Sequence, residues 1–141
     1  MRINATPFGG SGGGTAQTLV HANCLATDIV GDSVYVTGAK IGIYYQVAKV
    51  NINNLTQIPP FGIIVAKASA QVCTVQTGGA VAGIYTGLTP QKELFVGTDG
   101  QLTETIPTPP LTGKRASQLM GLVTSTDEFQ LSIGLPIIMV A

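Results

Sequence analysis

The sequence predicts an all-β protein with one compact domain, a β-sandwich or a barrel-like fold of about nine to eleven short strands. Gly occurs 18 times in 141 residues, and Thr, Val and Ile are abundant, a composition typical of strands joined by turns. Short apolar runs separated by turn residues continue from residue 19 to the end of the chain. No run shows the sustained 3.6-residue period of an amphipathic helix.

Residues 1–18 are predicted to form a flexible N-terminal arm, and residues 19–141 the all-β domain. The arm is rich in glycine and poor in apolar side chains, so burial of its own surface cannot hold it in place. A phosphate-binding loop is disfavoured, because the glycines are not followed by Gly-Lys-Ser/Thr. Phe8 is the one large anchor, and the candidate partner-binding residues of the arm are Asn4, Thr6, Pro7, Phe8, Gly9 and Gly10.

The first strands of the domain are predicted from an apolar period of two. Residues 33–37 alternate between apolar and polar types after a Gly-Asp turn, which indicates a half-buried strand. The same period runs through residues 41–47 and then changes phase at Val50. Such a change predicts a bulge or a corner near Ala48-Lys49.

The middle of the chain contains a predicted central strand and a predicted hairpin. Two prolines within residues 58–62 interrupt any ladder, because proline offers no N–H. Residues 63–68 are apolar on both faces except for one lysine, which is typical of a central strand. Residues 71–76 and 80–85 are separated by Gly78-Gly79 and are predicted to form a hairpin.

The strongest local pattern is the Asp-Gly pair within residues 94–103. Asp-Gly between apolar runs suits a turn that needs positive φ, so a hairpin is predicted there. Residues 105–115 contain three prolines and are predicted to be a rigid loop. Residues 128–133 alternate apolar with polar, and residues 135–140 supply a last strand.

The charge of the chain disfavours nucleic acid and membranes as partners. Seven Lys and Arg balance seven Asp and Glu, so the formal net charge is zero. Charged residues make up 10% of the chain, against about 25% in an average domain. No signal-peptide core and no apolar run of membrane-spanning length is present, which predicts a protein made and kept in a cytoplasm. Either Thr, Asn and Gln keep a surface so poor in charge soluble, or copies of the chain and a larger assembly cover much of it. The glycine-rich arm and the small number of catalytic groups favour the second alternative, a structural component.

The chain offers few groups for catalysis or metal binding, and the prediction is that it is not an enzyme and needs no cofactor, metal or small-molecule substrate. His21 is the only histidine, and Cys24, three residues on, falls on the opposite face of a strand. Cys24 and Cys73 are expected to be reduced. Asp28 and Asp32 could suggest a calcium site, but the loop that contains them has too few oxygen ligands for this cation. A small enzyme that depends on His21 is the weakest alternative.

Several motifs of this chain resemble small virion proteins of tailed bacteriophages. The motifs are IYTGLTP at residues 84–90, followed by LFVGTDGQLT at residues 94–103. Segments at residues 31–36, 60–65 and 118–123 are similar in order and spacing. The resemblance covers residues 30–135, and the motifs describe turns and strands rather than chemistry.

The resemblance implies a capsid decoration (cement) protein that binds major capsid proteins as an oligomer. Such proteins are commonly homotrimers, with a terminal arm, here residues 1–18, that reaches a neighbour. The implied location is the outer surface of a capsid assembled in the host cytoplasm, where a neutral chain fits better than beside packaged DNA. The alternative is a fibre, appendage or host-recognition module. In it, an exposed Tyr44 and the loop residues Pro109 and Pro110 contact glycans or other virion proteins.

Overall fold

The computed structural model describes residues 17–141, and this part of the chain forms eleven β-strands and one short turn of 3-10 helix. The strands are β1 (Thr18–Asn23), β2 (Ser33–Ile41), β3 (Tyr44–Lys49), β4 (Gly62–Ser69), β5 (Val72–Ala82), β6 (Glu93–Val96), β7 (Leu102–Thr103), β8 (Lys114–Ser117), β9 (Leu119–Ser125), β10 (Glu128–Leu131) and β11 (Ile137–Val140). The 3-10 turn is Leu55–Gln57. The predicted all-β fold is confirmed.

Strands β1 to β5 close into a five-stranded barrel. The order around the barrel is β1-β3-β2-β4-β5, and β5 pairs back onto β1. The β1–β3 pair is parallel and the other pairs of the barrel are antiparallel. Closure gives each of these strands a neighbour on both sides, which satisfies backbone groups that an open sheet would leave at its edges. The barrel is filled by buried apolar side chains, among them Val34, Val47, Ile64, Cys73 and Val75.

Strand β5 belongs both to the barrel and to an outer sheet. Its first part pairs with β1 and β4, and residues 79–82 pair with β10. The outer sheet continues in the order β10-β9-β6-β7. The predicted hairpin at Gly78-Gly79 is therefore wrong, because these glycines lie where one continuous strand leaves its barrel neighbours for β10. Gly79 has a φ of 88°, a conformation that glycine adopts without a steric penalty.

A second apolar core joins the outer sheet to the barrel. Phe129 is the largest fully buried side chain, and it packs in a cluster with residues of both parts of the molecule. The buried members of this cluster are Val50, Ile52, Ile63, Val81, Leu94, Val96, Met120, Val123, Phe129 and Leu131. Phe129 and Leu131 are buried in β10, which confirms the predicted alternation along that strand.

Two further predictions are confirmed by the pairing of strands. β4 lies between β2 and β5, as expected of a central strand. β6 and β7 form the hairpin predicted from Asp99-Gly100, and Gly97 N–H donates to the Gln101 carbonyl across its turn at 2.6 Å. Gly100 has a φ of 74°, the positive value that the Asp-Gly pattern predicts.

The predicted strand over residues 41–47 is only partly correct. Ile41 and Tyr44 form the last pair of the β2–β3 hairpin, so Gly42 and Ile43 are its turn. Gly42 has a φ of 62°, which this two-residue turn requires. The predicted corner near Ala48-Lys49 is confirmed, because β3 ends at Lys49 and the chain leaves the ladder.

The last strand forms a separate two-stranded sheet with β8. β11 pairs with β8 antiparallel, from Ile137 opposite Ser117 to Val140 opposite Lys114. Ala116 N–H donates to the Ile52 carbonyl at 2.9 Å and ties this sheet to the chain that follows β3. At the other end of the domain, Thr18, which the sequence analysis places in the arm, is the first residue of β1.

Candidate functional site: two exposed apolar surfaces

The β2–β3 hairpin extends beyond the barrel and ends in aliphatic side chains. β2 pairs with β4 only at Ser33 and Val34, so residues 36–41 of β2 have β3 as their only paired strand among residues 17–141. Ile41 is 64% exposed and Ile43 is 61% exposed at the turn. The two side chains form a small exposed aliphatic patch at the tip of the hairpin.

Tyr44 lies at the base of this hairpin turn. Its ring is 5.9 Å from that of His21, which is exposed on β1. The side chain of Tyr44 is half-buried, as are those of the other three tyrosines, so exposure does not distinguish it from them. Tyr45 lies against Phe61 at 4.8 Å between ring centroids, with the Lys40 ammonium 4.7 Å above its ring. The hairpin therefore has an aromatic base and an aliphatic tip.

The second surface is a ribbon near the end of the chain, which we call the C-terminal ribbon: residues 111–117 and 135–140. Leu111 is 99% exposed and Leu135 is 91% exposed. Ile137, Ile138 and Val140 of β11 are also exposed. The Ala141 N–H donates to the Gly113 carbonyl at 3.1 Å, which holds the loop beside Leu111 against the end of β11.

The loop before β8 contains Pro109 and Pro110 and is held by Arg115. The Arg115 guanidinium donates from Nε to Asn53 Oδ1 at 2.8 Å and from Nη1 to the Thr108 carbonyl at 3.1 Å. Pro109 is exposed and Pro110 is half-buried. The predicted loop over residues 105–115 is confirmed as far as Gly113, whereas Lys114 and Arg115 are wrongly assigned to it and belong to β8, which pairs with β11.

The structure does not bring Tyr44 together with Pro109 and Pro110. Tyr44 begins β3, whereas Asn53, which lies beside the proline loop, follows the other end of that strand. A strand of six residues is about 17 Å long, so Tyr44 and the proline loop lie at opposite ends of it. One glycan could not contact all three residues within a single small site.

The residues considered for catalysis are separated by the barrel wall. His21 is exposed, whereas Cys24 and Cys73 are buried free thiols in the barrel. His21 in β1 is thus exposed, whereas Cys24, which directly follows β1, is buried, so the two side chains lie on opposite sides of the barrel wall, as predicted. Burial, together with a hydrogen bond to Cys24, raises the pKa of the Cys73 thiol to about 12. A thiol with that pKa is protonated at neutral pH, and therefore Cys73 acts as a small core side chain.

Asp28 and Asp32 organise the loop between β1 and β2. Asp28 Oδ2 accepts from the Leu25 N–H at 2.8 Å, and Asp32 Oδ2 accepts from the Ile29 N–H at 2.9 Å. The Lys67 ammonium donates to the Asp28 carbonyl at 2.6 Å. Burial raises the pKa of Asp32, partly opposed by its backbone hydrogen bond. Residues 17–141 contain no cluster of three or more His, Cys, Asp or Glu side chains that could hold a metal ion.

The exposure of the aliphatic residues of both surfaces was not predicted from the sequence. Ile41 and Ile43 flank a turn glycine, Leu111 stands in a Pro- and Thr-rich loop, and Leu135 lies between Gly134 and Pro136. Apolar residues inside turn-type segments were the available signal, since such segments are normally polar. The arm candidates Asn4, Thr6, Pro7, Phe8, Gly9 and Gly10 lie outside the described residues.

No family model and no curated protein matches the chain. Across residues 17–141, no helix has the length and apolar character needed to cross a membrane.

Proposed function

We propose that this chain is a structural virion protein that decorates and stabilises a bacteriophage capsid. In this proposal a homotrimer binds major capsid proteins on the outer surface of the particle, which is assembled in the host cytoplasm. The protein acts by contact rather than by catalysis, with no cofactor, nucleic acid or membrane as partner. The observation that carries the proposal is the pair of separate apolar surfaces, exposed on a domain whose two cores are already filled.

Two properties of the sequence support this assignment. The motifs at residues 84–90 and 94–103 resemble small virion proteins of tailed bacteriophages. The zero net charge and the 10% content of charged residues suit a surface that other subunits cover. Apolar contact then supplies the free energy of binding that charge pairs supply in many other complexes.

The hairpin tip is suited to entering a recess between capsid subunits. At about 25 cal/mol per Å², complete burial of the exposed parts of Ile41 and Ile43 stabilises a complex by about 6 kcal/mol per copy before the costs of binding. Three linked copies would add avidity, because the second and third contacts become intramolecular. Residues 1–16 would extend the contact to a neighbouring subunit through Phe8 and backbone hydrogen bonds.

Capsid binding tests the proposal directly. Purified protein is mixed with capsids assembled from the major capsid protein of the same virus, and occupancy is measured by pelleting. We expect saturable binding and a higher temperature of capsid disruption. Deletion of residues 1–16 should weaken occupancy and leave the domain folded, because Gln17 and Thr18, whose contacts to β5 are retained, stay in the chain. Absence of binding by the intact chain would refute the proposal, and unchanged occupancy after the deletion would remove the arm from it.

A fibre, appendage or host-recognition module is the second candidate. The observation that favours it is the Tyr44 ring beside exposed His21 on a projecting hairpin, since aromatic side chains supply contact area at low entropic cost. Glycan-array binding that is lost in Tyr44→Ala would support it. Because Pro109 and Pro110 lie at the other end of β3, their replacement by Ala should leave that binding unchanged.

A further inference from the structure

The C-terminal ribbon has one strand edge that the described part of the chain leaves open. β8 is covered on its outer side, where Ala116 N–H bonds to the Ile52 carbonyl. β11 pairs with β8 on one side, and residues 17–141 place no strand on its other side. In an antiparallel pair about half of the N–H and C=O groups of a strand point away from its partner. β11 therefore presents backbone donors and acceptors next to exposed aliphatic side chains.

The exposed aliphatic residues of the ribbon have a total area close to that of one side of a standard interface. Leu111 and Leu135 are almost fully exposed, and Ile137, Ile138 and Val140 are between 47% and 66% exposed. With about 200 Å² for each fully exposed residue, these five residues present about 700 Å² in total, and they lie on both faces of the ribbon, because the neighbours Ile137 and Ile138 point to opposite faces of β11. By the same measure Ile41 and Ile43 present about 250 Å², too little to hold two copies together.

We propose that the C-terminal ribbon is the surface through which copies of this chain contact one another. Interfaces between identical subunits are larger and more apolar than transient ones, which matches the ribbon rather than the hairpin tip. The chain has no net charge, so copies meet without long-range repulsion. The edge of β11 supplies main-chain hydrogen bonds to the neighbouring copy, and the aliphatic side chains supply the buried area.

This assignment deepens the proposed function by placing its contact between copies, and it does not depend on the capsid. The hairpin tip and residues 1–16 are left for the second partner. In a closed ring of three copies, the ribbon of each copy contacts a different surface of the next copy, so that no ribbon remains exposed.

The test measures the mass of the intact chain in solution by native mass spectrometry and sedimentation equilibrium. We expect an oligomer at about 10 µM, a concentration at which interfaces of standard size are commonly occupied. The double variant Ile137→Lys, Val140→Lys should weaken self-association by at least about 100-fold, because it places charge on the contact. The matched control, Ile41→Lys with Ile43→Lys, makes the same chemical change on the hairpin and should leave the oligomer intact.

A second variant guards against misfolding of the first. Leu111→Ser with Leu135→Ser changes two side chains that contribute almost nothing to the fold, so far-ultraviolet circular dichroism should be unchanged while association weakens. A monomeric intact chain, or ribbon variants that associate as the intact chain does, would overturn the assignment. Loss of the oligomer on deletion of residues 1–16, or in the hairpin control alone, would also overturn it.

Capsid pelleting of the same variants separates the two proposals. If a ribbon variant is monomeric and binds capsids with reduced occupancy, both proposals are supported. An intact chain that binds capsids as a monomer refutes the ribbon assignment alone, and an oligomer that ignores capsids refutes the proposed function alone.

Discussion

Replacing Gln76 by Met should destabilise the protein at the segment where β5 passes from the barrel to the outer sheet. Gln76 is buried, and its amide Nε2 donates to the Gly78 carbonyl at 3.0 Å and to the Ala80 carbonyl at 2.8 Å. These two bonds bridge the stretch in which the strand changes partners. Met has a similar volume and no donor, so the substitution removes the bonds without opening a cavity.

The expected cost follows from the carbonyl groups that lose a donor. The Ala80 carbonyl also accepts from Gln17 Nε2 at 3.0 Å, so it keeps a partner in the variant. The Gly78 carbonyl loses the Gln76 donor, and the loss of a hydrogen bond to a half-buried carbonyl costs about 1–2 kcal/mol. We expect the free energy of unfolding to fall by about 2 kcal/mol, which for a chain of this length lowers Tm by about 7 °C. Urea unfolding followed by circular dichroism measures the difference.

The control is Gln71→Met, which makes the same chemical change at an exposed position of the β4–β5 turn. It should alter the free energy of unfolding by less than about 0.5 kcal/mol. If Gln76→Met is as neutral as Gln71→Met, the amide does not hold the strand at this point and the reasoning is refuted.

Two further predictions concern close packing and buried charge. Gly121→Ala places a Cβ against the carbonyl oxygen of Gln130 in the adjacent strand, so the free energy of unfolding, measured in urea, should fall by more than about 3 kcal/mol. Gly38→Ala is the control, because its Cβ would meet open space, and it should leave the free energy of unfolding nearly unchanged. Asp32 has a folded-state pKa above its ordinary 3.8, so the native chain binds its proton more tightly than the unfolded chain does. The stability of the native protein relative to Asp32→Asn should therefore be greatest below about pH 3.8, fall as the pH rises through the raised pKa, and then level off. Urea midpoints of both proteins between about pH 3 and pH 7 measure this difference. A stability difference that grows with pH would contradict the predicted direction of the pKa shift.

The correctly predicted elements are those whose apolar pattern and turn residues lie within a few positions of each other in the sequence. The β6–β7 hairpin follows from Asp99-Gly100 between apolar runs, and the burial of β10 follows from its alternation. In each case the local preference and the tertiary environment agree, so local reasoning succeeds.

The errors arise where tertiary pairing decides. Gly78-Gly79 is a common hairpin signal, but here β1 and β4 on one side and β10 on the other keep the strand continuous. The alternation at Ile41 and Ile43 predicts a strand with a buried face, yet Gly42 turns the chain there and no other strand within residues 17–141 covers the tip. Which apolar residues remain exposed depends on strand order, which the period of a single strand does not contain.

The continuity of β5 has a mechanical consequence. The barrel and the outer sheet are joined by the continuous backbone of β5 as well as by side-chain packing. Movement of one relative to the other must therefore bend β5 itself, in the segment that contains Gly78 and Gly79.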